Sequence, residues 1–305
     1  MKITIREALK RASLTLKEAG ISQYNYEAVL LLAFCLKKDL VYVYTCPEKY
    51  LTKEDMELYS RLVKKRSSGV PFHYIKGEKE FMGLTFKVNP GVLIPRPETE
   101  LVVETALEWA KDQNDRAKGH SSGGGRGEGG AFNILDLCTG SGVLAVSLAY
   151  MLPSCSLWAA DISDIALKTA RENAACHGVQ GKITFAQGDL WDPLDSLAFT
   201  EDLKFSIIVS NPPYISTSQL AQLPPGIKEH EPLLALEGGP DGLDFYRRIF
   251  SKLHKFLALP GITVLEVGLG QSNQVSALAE GCGLFREVKV IRDYSGIERI
   301  VAAYG

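Results

Sequence analysis

The sequence predicts an α/β protein: a seven-stranded, mostly parallel, doubly wound sheet, preceded by a small helical bundle and a linking β-hairpin. Three observations predict it. From Phe132 onward, short runs rich in β-branched and aromatic residues alternate with stretches of helical periodicity, the pattern of parallel strands joined by crossover helices. The first of those runs, Phe132-Asn133-Ile134-Leu135-Asp136-Leu137, passes straight into a glycine loop and a helix. Residues 1–78, in contrast, repeat their apolar residues at helical spacing.

Length and composition bound the reading. A chain of 305 residues has room for two domains, and 46% hydrophobic content fits a globular protein. The net charge of −2 gives no global positive field for non-specific nucleic-acid binding, and Lys64-Lys65-Arg66 reads as a solvated helix end. Met1 to Glu7 lacks the apolar core of a signal peptide, and Glu7 and Glu18 argue against a transit peptide. With no uncharged apolar run of spanning length, a cytoplasmic location without membrane contact is expected. Six cysteines without a C-x-x-C pair read as reduced thiols, and five histidines without ligand spacing predict no metal.

In chain order, residues 1–78 read as four or five short helices. Ile5, Leu9, Leu14 and Leu16 give one apolar face, and Ala28, Leu31, Leu32 and Cys35 a denser one. Thr52 followed by Asp55 is a capping signature for a helix through Met56, Tyr59 and Val63. Substrate docking is assigned to this bundle by position alone. Residues 79–95 read as a hairpin linker: Glu80 to Val88 as strand, Asn89-Pro90-Gly91 as turn, and Val92-Leu93-Ile94 as the return. The α/β domain then spans 96–305. Pro97, Glu98 and Glu100 open a helix to about Trp109. Lys111 to Gly130 reads as a flexible Gly-rich surface insertion.

The loop Cys138-Thr139-Gly140-Ser141-Gly142 and the helix Val143 to Met151 complete a nucleotide-cofactor arrangement. It is not a P-loop, because no Gly-Lys-Ser/Thr follows, and Ala145 stands at the third glycine position. The strand Ser156 to Ala160 ends in Asp161, whose carboxylate can accept from both hydroxyls of a ribose, as it would in a nicotinamide enzyme. A third strand, Lys182 to Gln187, leads to Asp189, which can meet an adenine amino group, and Trp191, which can pack on a ring.

The fourth strand, Phe205 to Val209, runs into Ser210-Asn211-Pro212-Pro213-Tyr214. Two prolines stop the strand and stiffen the turn, so Asn211 is expected at the carboxyl edge of the sheet, where open α/β folds bind ligands. The Asn211 side-chain carbonyl and the Pro212 backbone carbonyl are two acceptors that suit a planar NH2 group, and Tyr214 offers an aromatic face. Ile215 to Asp241 reads as a functional loop, with Asp241 capping a helix from Leu243 to Leu257. Ile262 to Val267, Val288 to Ile291 and Ile300 to Ala303 are the remaining strands, with a helix from Gln271 to Glu280.

With these residues in place, the chain resembles the PrmC/HemK family, protein-(glutamine-N5) methyltransferases that act on class 1 peptide-chain release factors. The resemblance rests on Ile94-Pro95-Arg96-Pro97-Glu98-Thr99-Glu100, on Asn211-Pro212-Pro213-Tyr214-Ile215, and on Glu231-Pro232 through Gly238-Gly239-Pro240-Asp241-Gly242-Leu243. It implies a class I, Rossmann-like domain dependent on S-adenosyl-L-methionine. Asp136 and the loop Cys138, Thr139, Gly140, Ser141 and Gly142 would hold the cofactor with Asp161, Asp189, Trp191 and Asn211. Asn211, Pro212, Pro213 and Tyr214 would clamp the glutamine amide of the Gly-Gly-Gln tip, with Asn211, Pro212 and Tyr214 catalytic. A monomer is expected. Cys138, where the family often has glycine, and the long Gly-rich insertion depart from the pattern. Asn-Pro-Pro-Tyr is shared with adenine-N6 DNA methyltransferases, but no DNA binding is expected of this acidic chain. A nicotinamide-dependent oxidoreductase explains the glycine loop and Asp161 but not Asn211 to Tyr214, and a non-catalytic binding module on a dead fold is disfavoured because every expected site residue is retained.

Overall fold

The computed structural model describes residues 3–119, 131–197 and 203–305. They form two compact units. The first comprises residues up to Glu78 together with Leu223–Glu231. Its helices are Ile5–Glu18, Tyr24–Leu36, Leu40–Thr45, Lys53–Ser67 and Phe72–Lys76. Thr52 and Asp55 form a reciprocal capping box, as their spacing predicts. The core gathers Ile5, Leu16, Leu31 and Leu32, and the Tyr59 hydroxyl donates to the Ala28 carbonyl at 2.9 Å. The first helix turns Ala8 and Ala12 inward, where the sequence reading had placed Leu14, which is 57% exposed. Arg66 grips Glu27 with two parallel hydrogen bonds of 3.0 and 3.1 Å.

The second unit comprises residues 79–222 and 232–305. Its hairpin consists of β1 (Glu78–Phe81) and β2 (Leu84–Lys87). The turn between them is Met82-Gly83, both at positive φ (51° and 71°), the conformation of a tight primed turn. This corrects the expected hairpin: Glu80 to Val88 is not one strand, and Val92 to Ile94 is not its partner. Met-Gly lacks the Asn or Asp that usually marks such a turn, so the run reads as continuous. The Met82 N–H donates to the Glu100 carboxylate at 2.7 Å, tying the turn to the following helix.

The remaining strands are β3 (Phe132–Leu137), β4 (Cys155–Asp161), β5 (Ile183–Gln187), β6 (Phe205–Ser210), β7 (Leu257–Glu266), β8 (Glu287–Arg292) and β9 (Glu298–Tyr304). They form one sheet in the order β5-β4-β3-β6-β7-β9-β8. The five strands from β5 to β7 pair in parallel, and β9 is antiparallel to both its neighbours. The order reverses between β3 and β6, which leaves a crevice at their carboxyl ends. Ile134, Leu137, Ile207 and Val264 are fully buried, as expected of strands covered on both faces.

The helix after Pro97 is longer than its sequence suggests. A 3-10 turn, Pro97–Thr99, precedes an α-helix over Glu100–Gly119, so residues 111–119 of the expected insertion are helical. The remainder of that insertion, 120–130, lies outside the described residues. The polar run after Trp109 masks the helix because its residues favour helix without needing a buried face. Asp241 also departs from expectation: the helix is Asp244–Phe256, its N-cap Leu243 has no side-chain cap, and Asp241 accepts from the Leu243 N–H at 3.1 Å.

Candidate active site

A cavity of about 1120 Å³ of empty volume, partly open to solvent, lies at the carboxyl ends of β3, β4 and β6. Its floor is the glycine loop. Leu137, the last residue of β3, pairs with Ala160 and Ser210, and Cys138 follows at φ 60°. The Thr139 N–H donates to the Ala160 carbonyl at 3.0 Å, and the Gly142 N–H to the Thr139 carbonyl at 2.8 Å. Gly140 has φ 57° and lines the cavity, and a Cβ there would meet nothing within 4 Å. A side chain would therefore project into open space, so glycine leaves a cradle for a ligand. Gly142 has a different reason: its φ is 82°, and a Cβ would stand 2.9 Å from that of Ala170.

Asp136 and Asp161 play unlike parts. Asp136 is fully buried, and one of its oxygens accepts from the Thr139 hydroxyl at 2.6 Å and the Ala145 N–H at 3.1 Å. Burial pushes its carboxyl up to about 7, and its other oxygen has no partner. It shapes the loop from beneath and does not line the cavity. Asp161 does line it. One of its oxygens accepts from the Gly140 N–H at 2.8 Å and the other from the Ser163 N–H at 2.9 Å, which leaves a lone pair on each for a ligand. Burial raises its carboxyl above the ordinary range, and the Ser163 and Gly140 N–H groups oppose that rise. Burial also holds the Cys138 thiol well above its usual value, so it lines the cavity as a neutral group.

The walls come from farther away. Gly91, Val92, Leu93 and Pro95 line one side. They are held by Asn89, which donates to the Thr169 hydroxyl at 2.8 Å, and by Asn173. The Asn173 amide accepts from the Lys87 N–H at 2.7 Å and donates to the Lys87 and Ser141 carbonyls at 3.1 and 2.8 Å, stapling the hairpin to the glycine loop. Asp189 lines the cavity and pairs with Arg248 at 2.7 Å. Trp191 does not line it. Its indole is 2% exposed, stacked on Phe256 at 5.0 Å, and donates to the Arg248 carbonyl at 3.0 Å. The core holds the Trp191 side chain, and the aromatic ring on the cavity wall is Phe245.

Asn211 and Pro213 line the cavity, and Pro212 and Tyr214 do not. The Asn211 NH2 donates to the Thr99 hydroxyl at 3.2 Å. Thr99 in turn donates to the Glu266 carboxylate at 2.6 Å, and the Tyr214 hydroxyl reaches the other Glu266 oxygen at 3.4 Å. Glu266 ends β7 and is 2% exposed, and burial pushes its carboxyl up to about 7. Burial and the Glu266 charge raise the Tyr214 phenol, which stays neutral.

The turn is also enclosed by backbone. Ile215 accepts from the Gly238 N–H at 2.8 Å and donates to Leu236 at 2.9 Å. A Cβ on Gly238 would lie 2.7 Å from the Tyr214 Cα, and one on Gly242 would lie 2.4 Å from the Tyr214 carbonyl oxygen. The Gln271 amide donates to the carbonyls of Tyr214 and Gly242 at 2.9 and 3.2 Å and accepts from the Gly268 N–H at 2.9 Å. Thr99, Phe245, Glu266 and Gln271 were not singled out by the sequence reading. Only Thr99 has a local signal, as part of the run Pro97 to Glu100.

Two family profiles match the chain: PrmC N-terminal domain over residues 7–77, and methyltransferase domain over 129–255. Proteins named release factor glutamine methyltransferase align over nearly the whole length. That of Clostridium botulinum is 37% identical, covering 94% of each chain. Those of Moorella thermoacetica, 37% identical over 99% of each chain, and of Thermodesulfovibrio yellowstonii, 38% identical over 97% and 95%, agree. Among solved structures, the hMettl16 catalytic domain bound to MAT2A 3′UTR hairpin 1 superposes with TM-score 0.53 at 13% identity, covering 84% of this chain and 83% of that one. A Pyrococcus furiosus methyltransferase superposes with TM-score 0.50 at 16% identity, covering 79% and 98%. At such identities the likeness is one of fold.

Proposed function

Since the chain belongs to the family of release factor glutamine methyltransferases, we propose that it methylates the side-chain amide nitrogen of the glutamine in the Gly-Gly-Gln motif of class 1 release factors. The observation that carries this reading is the Asn211 carboxamide: on a residue that lines the cavity, one N–H of its NH2 is held by Thr99, which turns its carbonyl oxygen away from that partner and makes it the acceptor for a substrate amide in this reading. The residues present fit S-adenosylmethionine. Asp161 offers carboxylate lone pairs to a ribose, Gly140 leaves the floor open, and Leu144, Leu190 and Phe245 supply apolar walls for a flat base. When bound, S-adenosylmethionine supplies a methyl group made electrophilic by its sulfonium.

The chain's own task is positioning. An amide nitrogen is a weak nucleophile because its lone pair is delocalised into the carbonyl. Asn211 Oδ1 accepts one of its N–H bonds at the cavity, and the Pro212 carbonyl, on the turn just outside the cavity lining, accepts the other, which fixes the plane of the substrate amide. Pro213 packs beside it, and Tyr214 holds the turn through its hydroxyl. Orientation of this kind supplies up to roughly 7–11 kcal/mol in favourable cases. As the N–CH3 bond forms the S–CH3 bond breaks, leaving a neutral thioether, and the nitrogen releases one of its two protons to water, so the product amide bears one hydrogen and one methyl.

The helical unit docks the release factor in this reading, and the enzyme acts as a cytoplasmic monomer. No helix among the described residues is long and apolar enough to cross a membrane. Mass spectrometry of a release factor incubated with the enzyme and S-adenosylmethionine tests the proposal. One added methyl on the Gly-Gly-Gln glutamine is expected. Methylation of DNA adenine instead, with the release factor unchanged, would overturn it.

A further inference from the structure

The Asn211 carboxamide can turn over end for end at almost no steric cost, and only one of its two orientations presents an acceptor to a substrate NH2 group. Something must choose between them. Thr99 cannot do so by itself, because a hydroxyl both donates and accepts. The choice is made one bond farther away. The Thr99 proton goes to Glu266 at 2.6 Å, so the hydroxyl has only lone pairs to offer Asn211, whose NH2 turns toward it at 3.2 Å.

Resting on the reading of the site given above, we propose that Glu266 is a positioning residue for methyl transfer: by holding the Thr99 proton it locks the Asn211 amide with its oxygen toward the substrate. Glu266 touches neither cavity nor substrate and acts through Thr99. Its surroundings suit the task. The Tyr214 hydroxyl approaches the other carboxylate oxygen at 3.4 Å, and the Tyr246 hydroxyl donates to the Glu266 backbone carbonyl at 2.9 Å. Arg299 favours the charged carboxylate, and Glu98 opposes it. The backbone on either side is pinned by sheet pairing to Ile300 and by the Val267 N–H donating to the Arg299 carbonyl at 2.7 Å. A carboxylate buried this deeply is costly unless it accepts hydrogen bonds, and both of its oxygens have a donor.

The test is Glu266→Gln in the full chain. Glutamine keeps the shape, and in the orientation in which its oxygen retains the Tyr214 hydroxyl bond its NH2 faces Thr99, which frees the Thr99 proton to donate to Asn211 and turns the amide over. A fall in kcat of about 10–100-fold is expected, the size of effect seen when an outer partner that orients a functional group is lost. The KM for the release factor and the affinity for S-adenosylhomocysteine, measured by calorimetry, should stay within about twofold. Thr99→Ser should keep most of the activity and Thr99→Val should lose it. Glu266→Gln should add little on top of Thr99→Val, as expected of residues acting in series.

A Glu266→Gln enzyme with wild-type kcat would overturn the inference. So would a loss shared equally by S-adenosylhomocysteine binding, or a Thr99→Ser enzyme as impaired as Thr99→Val. If the wild-type enzyme leaves the release factor unmethylated, the underlying reading of the site fails, which is a different result from failure of the Glu266 variants alone.

Discussion

On one side of the cavity, residues 136–163 contribute mostly main chain: positive-φ turns at Cys138 and Gly140, and Asp161 fastened by two backbone N–H groups. On the other side, Asn211 depends on Thr99, on Tyr214 of its own turn, and on Glu266 and Gln271 from the end of β7 and the start of the next helix, with Gly238 and Gly242 of one further loop pressed against the turn. The first wall is a local fold of one stretch around a ligand. The second is a relay of side chains in which each group fixes the next. A local wall tolerates change outside its stretch, whereas a relay transmits change from any member to the reacting group.

The sharpest way to break this contrast is to remove the last member of the relay. Asn211→Ala should lower kcat by roughly 10²–10³, by analogy with a lost oxyanion-hole donor, while S-adenosylhomocysteine affinity stays within a few-fold. A mutant within fivefold of wild type in kcat would take Asn211 out of the mechanism. Asp161→Ala should do the reverse, weakening S-adenosylhomocysteine about 10–100-fold through loss of charge-assisted hydrogen bonds, with turnover at saturating cofactor much less affected. Equal losses in both parameters for both mutants would erase the distinction between the walls.

Gly242→Ala tests the backbone enclosure. It combines a φ of 78° with a Cβ contact of 2.4 Å to the Tyr214 carbonyl, so a loss of about 1–3 kcal/mol in stability is expected, read as a lower denaturation midpoint. Activity should fall with it, because Tyr214 must shift. The gentlest probe is pH. Burial raises Glu266 to about 7, well above its value in an unfolded chain. The folded state therefore holds this proton more tightly. The stability it contributes is present at pH 4 and is lost as pH rises through about 7. Thr99, Tyr214 and Arg299 favour the charged form, and Glu98 opposes it. Glu266→Gln should flatten the fall in melting temperature between pH 5 and 8 and should be no less stable than wild type at pH 8. A steeper fall in the mutant would contradict the burial seen here.

The same contrast explains what the sequence disclosed. The sheet and the glycine loop were legible because each depends on residues close together: an apolar run, glycines two apart, an acidic residue closing the next strand. Asn211 was legible because two prolines mark a rigid turn. The relay behind it was not. Glu266 sits in a buried strand run as one more residue, Gln271 reads as the start of a helix, and only folding brings them to Thr99 and Tyr214. Trp191 misled for the opposite reason. It stands beside a plausible ligand position in sequence, but packing against Phe256 turns its ring into the core. The Met82-Gly83 turn shows that a hairpin can be closed by φ values rather than by the usual residue pair.

The relay's membership has a temporal consequence. Chains leave the ribosome amino end first, and domains take shape in that order. Every segment of the glycine-loop wall has emerged by Ser163, but Glu266 and Gln271 follow about a hundred residues later. Methyl transfer thus awaits the arrival of β7, and a truncated or stalled product ending before it would hold a donor without being able to aim a substrate.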